Sequence, residues 1–137
     1  MKSRIFKMML SIILGTVLIA NANLASAASI PWQSYSNNAF TKAKAQNKRV
    51  LVYVGSASCH WCAKMNSETF HSPTIIKIIS KKFIPVAVDM VSDPSISYKY
   101  GVRGTPTFII LDSSNEEISR LVGYQTTSEF QSYLGKS

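Results

Sequence analysis

The sequence predicts an α/β fold, a central mixed β-sheet flanked by helices on both faces. Three observations carry that prediction. Residues 49–54 and 83–90 are short, apolar and rich in β-branched side chains, the composition of strands buried on both faces. Thr107–Leu111 and Glu117–Val122 bracket the turn residues Asp112-Ser113-Ser114-Asn115 and read as a β-hairpin. Segments with helical spacing separate and flank these strands, in the order βαβ, a crossover helix, then ββα. Such an order implies parallel and antiparallel neighbours in one sheet.

The elements follow in chain order. After a short extended stretch at Ile30-Pro31-Trp32, residues 37–46 set Ala39, Phe40 and Ala43 against Lys42, Lys44 and Gln46 at helical spacing, with Ser36 as N-cap. The strand at 49–54 ends at Gly55, and Ser56-Ala57-Ser58 leads into a helix beginning at or near Cys59. Ser72-Pro73 restarts helix over 74–82, with a capping serine before proline at the first helical position. In the strand at 83–90, Pro85 is tolerable near the beginning. Asp93-Pro94 opens a short helical stretch ending at Tyr100-Gly101, and a last helix covers 127–134 after the hairpin.

The chain's 137 residues, 46% of them hydrophobic, suit one compact domain with a sizeable core. Its first 27 residues read differently. Lys2, Arg4 and Lys7 form a basic region, residues 8–20 are apolar apart from Ser11 and Thr16, and Ala25-Ser26-Ala27 supplies small residues for cleavage. That is the grammar of a secretory signal peptide cut after Ala27, leaving a domain of residues 28–137. The apolar run is shorter than the roughly 20 residues of a spanning helix, so no membrane span is expected after cleavage. The expected location is periplasmic or secreted. Losing three basic residues lowers the formal charge from +8 to +5, with 12 basic against 7 acidic residues remaining. No basic stripe interleaved with stacking aromatics appears, so nucleic acid is not an expected partner. Gly135-Lys136-Ser137 is not a phosphate-binding loop, because Phe130 occupies the first glycine position and no helix follows.

The chemistry concentrates in Cys59-His60-Trp61-Cys62. Two thiols three residues apart share a helix face and can close a disulfide with little backbone movement. So short a loop restricts the unfolded chain very little, which makes reactivity rather than stabilisation the reason for the pair. At the first turn Cys59 sits among unpaired N–H groups at the positive end of the helix dipole, where a thiolate is favoured. Cys59 is therefore the expected nucleophile and Cys62, one turn deeper, the resolving thiol. His60 either adds positive charge beside the thiolate or faces solvent without a role. Trp61 offers a surface for a partner to pack against. Zinc would need four ligands, and only His60 and His71 accompany the two cysteines. Covalent haem attachment is excluded in form, since Ala63 and not histidine follows Cys62. Two soft thiolates could hold Cu(I), but no methionine-rich tract accompanies them, and Met65 reads as helix core.

From about Trp32 to Leu134 the chain resembles the thioredoxin superfamily. The likeness rests on Val50-Leu51-Val52-Tyr53-Val54 before the cysteines, on the run from Tyr98 to Thr107 containing Gly104-Thr105-Pro106-Thr107, and on Leu121-Val122-Gly123-Tyr124. The resemblance implies a thioredoxin fold, a cis Pro106 beside the cysteines, and a Thr105 backbone that pairs with an extended substrate strand. Within the superfamily the chain looks most like small exported members, including the C-terminal domain of the bacterial inner-membrane thiol reductant conduit. Cys-His-Trp-Cys followed by Met65 and Glu68-Thr69-Phe70 also resembles a larger thioredoxin-like family of poorly defined activity. Two positions depart from the family pattern. Tyr53 stands where many thioredoxins carry a buried aspartate that assists proton transfer at the resolving cysteine, leaving that work to water or Glu68. Histidine precedes Trp61 instead of occupying the position before the second cysteine.

The expected function is therefore thiol–disulfide exchange on exported protein thiols, in the reducing direction because Thr105 before Pro106 resembles reductase and isomerase members. No cofactor is expected beyond the redox-active disulfide. The chain is expected to be a monomer with periplasmic protein thiols or disulfides as substrates and a membrane electron donor. The alternatives are a periplasmic thiol oxidase, and a non-catalytic module presenting Trp61, Tyr98, Tyr100 and the Pro106 loop for docking.

Overall fold

In a computed structural model, which describes residues 28–137, the first strand β1 (Arg49–Gly55) lies inside a four-stranded sheet of order β2-β1-β3-β4. The expected signal peptide, residues 1–27, lies outside the described residues. Strands β2 (Phe83–Asp89), β3 (Thr107–Leu111) and β4 (Glu117–Val122) complete the sheet. β1 runs parallel to β2, with Val52 opposite Val86, and antiparallel to β3, with Val52 opposite Ile109. β3 and β4 form the expected hairpin, whose register shifts between Ile110 and Leu111. The sheet is mixed, as the element order requires.

Among the described residues five α-helices accompany it: α1 (Asn37–Ala45), α2 (His60–Ser67), α3 (Pro73–Lys82), α4 (Pro94–Lys99) and α5 (Thr127–Lys136). A 3₁₀ turn at Thr69–His71, unforeseen in the sequence, links α2 to α3. The two-residue period of the strands sorts their side chains between two cores. Leu51, Tyr53, Phe108 and Ile110 pack with Cys62, Met65, Ile75, Ile79, Phe130 and Leu134 of α2, α3 and α5. Val50, Val52, Val54, Ile109 and Leu111 pack with Ala39, Phe40 and Ala43 of α1 on the other side. Burial on both faces explains why β1 and β3 read as continuous apolar runs and not as alternating ones.

Two helix starts differ from expectation. Neither Ser36 nor Ser72 makes a side-chain cap. In each case only the backbone carbonyl closes the first turn, accepting from Ala39 N–H (3.0 Å) at α1 and from Ile76 N–H (3.0 Å) at α3. At α3, Pro73 in the first turn has no N–H to satisfy, so less is asked of a cap there. α5 carries a capping box: Thr126 Oγ1 accepts from Glu129 N–H, and the Glu129 carboxylate accepts from Thr126 N–H (2.8 Å). Pro85 sits on the sheet's edge strand, where its carbonyl accepts from Gln33 N–H (3.1 Å) and Gln33 bridges to Val86. The N-terminal extended stretch thus covers that edge.

Candidate active site

β1 ends at Gly55, and the chain turns through residues 56–58 into α2. Cys59 occupies the N-cap of that helix in extended conformation, φ −82° and ψ 112°. Its carbonyl accepts the first intrahelical bond, from Ala63 N–H (3.1 Å), while its Sγ accepts from Cys62 N–H (3.1 Å). A sulfur therefore fills the capping place that a serine or aspartate oxygen usually takes. Cys59 and Cys62 are joined as a disulfide with Cα atoms 5.2 Å apart. Their environments differ: Cys62 is 2% exposed within the larger core, whereas Cys59 is only partly buried against its edge.

The other predicted residues differ in exposure and partners. His60 is exposed and meets Trp61 edge-on, ring centroids 5.3 Å apart. Trp61 is 50% exposed. Thr105 and Pro106 are joined by a cis peptide bond, as the family resemblance implied. Pro106 is buried, and its carbonyl accepts from Gly123 N–H (2.8 Å), where a positive φ of 92° suits glycine. Tyr53 points into the core that contains Cys62, stacked on Phe108 (5.5 Å) and edge-on to Phe70 (5.2 Å). Its hydroxyl reaches over Gly55 toward the end of the strand. Glu68 lies on the surface, where its carboxylate accepts from the Tyr124 hydroxyl (2.5 Å).

Electrostatics single out Asp89, which sequence reading missed. The Ser92 and Val91 N–H groups hold its carboxyl below the usual range. It stands opposite Gly55 in the parallel register, so it shares the face on which Tyr53 lies. Burial pushes the Tyr53 phenol up, and the negative charge of Asp89 pushes it further. Tyr53 is consequently neutral at ordinary pH and cannot act as a base. Tyr124 was missed as well: the hydrogen bond to Glu68 raises its phenol, and its ring lies 5.8 Å from Trp61. The available signals were strand parity for Asp89 and, for Lys64 beside Tyr124, its position three residues after Trp61 on one helix face.

Residues 22–104 match the model of the Thioredox_DsbH family, described as a protein of unknown function, DUF255. The chain belongs to that family. Human spermatogenesis-associated protein 20 is 34% identical over 71 residues, which are 52% of this chain. Those residues are 9% of the human protein, so the matched part of this Thioredox_DsbH chain spans about a tenth of that relative's length. Among solved structures, a thioredoxin from Thermus thermophilus superposes with a TM-score of 0.71 at 28% identity, covering 79% of this chain and 86% of that one. The DsbD C-terminal domain of Neisseria meningitidis in its reduced form gives 0.61 at 18% identity, covering 71% and 88%, a likeness of fold alone. The fold is the thioredoxin fold, with a closely paired Cys-x-x-Cys at the head of its second helix.

Proposed function

We propose that this protein is a thiol–disulfide oxidoreductase acting on exported protein thiols, and that it runs in the reducing direction. The observation that carries the proposal is the asymmetry of the Cys59–Cys62 pair. The partly exposed sulfur caps a helix N-terminus and accepts an N–H bond, while its partner is buried one turn deeper. N–H groups aimed at Cys59 favour its thiolate. In the reduced protein that thiolate attacks one sulfur of a substrate disulfide; a Cys59–substrate bond forms and the other substrate sulfur leaves as a thiolate. Cys62, once deprotonated, attacks Cys59 Sγ, which restores the Cys59–Cys62 disulfide and expels the second substrate sulfur. The substrate gains two electrons and the protein loses two; solvent supplies the protons that complete the substrate thiols and takes up those the cysteines release.

Thr105 and Pro106 support the assignment of a substrate-binding edge, and the partly exposed Trp61 adds an apolar contact beside Cys59. The secretory character of residues 1–27 supports export, with the mature chain beginning at Ala28. An exported reductant has no access to cytosolic cofactors, so its electrons come from a membrane donor.

The test is to trap the intermediate. Incubated with an oxidised peptide disulfide, Cys62→Ser accumulates a mixed disulfide through Cys59, while Cys59→Ser accumulates none. Adducts on Cys59→Ser but not on Cys62→Ser would reverse the two roles. Adducts on neither would end the oxidoreductase reading.

A further inference from the structure

The segment between β4 and α5 passes the active-site helix and is fastened on both sides. Gly123 N–H donates to the Pro106 carbonyl (2.8 Å). Gln125 N–H donates to Met65 Sδ (3.3 Å) of α2, and Thr69 Oγ1 donates to the Gln125 carbonyl (2.7 Å). Tyr124, between these anchors, has a fixed backbone, and its hydroxyl bond to Glu68 fixes the ring. That ring lies beside Trp61, and Lys64 extends its ammonium over both, 4.7 Å from the Tyr124 centroid and 5.7 Å from that of Trp61.

Among the described residues no carboxylate lies within ion-pair distance of the Lys64 ammonium. Among the described residues the one ion pair is Arg120 with Glu117, remote from this helix in sequence. Glu68 lies at i+4 from Lys64, the spacing at which the two would ordinarily pair on a helix surface, but it accepts from Tyr124 instead. A cation held against two ring faces in this way keeps its charge available while losing much of its freedom to move. It sits two residues after Cys62, and Trp61 between the cysteines is half-exposed. His60, exposed and in contact with Trp61, lies on the same rim, and no acidic residue falls between Cys59 and Ser67.

Resting on the thiol–disulfide reading above, we infer that Tyr124 is a positioning residue, clamped by Glu68, that holds Trp61 and Lys64 as an aromatic and cationic contact for substrate polypeptides with an acidic side chain beside the reactive cysteine. The substrate's apolar atoms pack on the Trp61 ring and its carboxylate reaches Lys64. Tyr124 touches neither sulfur; it acts by keeping Lys64 where an incoming carboxylate meets it.

Two peptide disulfides differing only in Glu or Gln next to the cysteine test this inference, with rates of reduction by the wild-type protein compared to those of Lys64→Gln, Tyr124→Phe and Tyr124→Ala. The wild type favours the Glu peptide by about fivefold in kcat/KM, the scale of one exposed charge contact, and the preference shrinks as salt is raised. Lys64→Gln brings the ratio near one. Tyr124→Phe, which keeps the ring and releases Glu68 to pair with Lys64, lowers the ratio with the loss read in KM, and Tyr124→Ala lowers it further. The reduction potential of the Cys59–Cys62 couple stays the same in both Tyr124 variants. A wild-type ratio near one, a Lys64→Gln protein that retains the preference, or a Tyr124→Phe protein with a shifted potential overturns the inference. A protein that reduces neither peptide nor a small-molecule disulfide overturns the oxidoreductase reading, and this inference falls with it.

Discussion

Gly55→Ala should destabilise the protein through one identifiable collision. A Cβ at residue 55 would stand 2.5 Å from the Tyr53 hydroxyl oxygen and 2.7 Å from its Cζ. Ordinary contact distances are about 3.5–4.0 Å, so the ring must retreat by about 1 Å. It has little room to do so, being stacked on Phe108 (5.5 Å) and flanked by Phe70 (5.2 Å) and Trp32 (5.5 Å). Overfilling a packed core costs about 1–3 kcal/mol. Replacing glycine returns about 0.4–1 kcal/mol by restricting the unfolded chain, because the backbone at residue 55 is not in the left-handed region. The net loss is about 1–2 kcal/mol, or a fall in Tm of about 4–10 °C for a domain of this size. Urea denaturation of the wild type, Gly55→Ala, Tyr53→Leu and the double variant closes a cycle. With leucine at residue 53 there is no hydroxyl or Cζ to strike, so the alanine should carry no cost there. A Gly55→Ala protein within about 0.5 kcal/mol of wild type, or an equal cost in both backgrounds, would refute this account of how Tyr53 fills the floor beside the active-site turn.

Two further outcomes follow from the same core. Phe130→Ala removes a fully buried ring that packs 4.7 Å from Phe108 and 6.0 Å from Phe70, and should cost about 3–5 kcal/mol in thermal or chemical denaturation. At alkaline pH stability should decline: burial raises the phenols of Tyr53 and Tyr133 above the ordinary value of 10.0. Above that value the unfolded chain loses protons that the folded chain keeps, so the contribution is fully present below pH 10 and is lost as pH rises through the folded-state values. Tyr53→Phe should make the decline shallower in a series of denaturation curves at increasing pH.

Much of the fold was legible because its strands are buried on both faces. β1 and β3 have five or more consecutive buried residues, which leaves an unbroken apolar run in the sequence. The placement of Cys59 at a helix start was legible for a related reason: a strand ending in glycine, three small residues and a helical pattern allow few other arrangements. Contacts between distant segments were not legible. The edge bridge from Gln33 to Val86, the nearness of Asp89 to Tyr53 and the bond from Tyr124 to Glu68 depend on register and on how elements pack, neither of which local pattern encodes. The serines expected as side-chain caps show the limit from the other side: both stand at the N-cap, but residue type does not fix whether the hydroxyl turns back to the helix N–H groups. Glu68 illustrates the same point near the site. Its position in sequence suggested a role at the resolving cysteine, and only the packed structure reveals the hydroxyl it serves.

Cys59 and Cys62 are proposed to form a reversible couple that runs as a reductant. The most direct test is the equilibrium reduction potential of the purified protein in thiol buffers, with Cys59→Ser as control. A reductant gives a single two-electron transition below about −220 mV that disappears in the control. A value above about −150 mV would make the protein an oxidant, and the absence of any reversible transition would contradict the oxidoreductase assignment altogether.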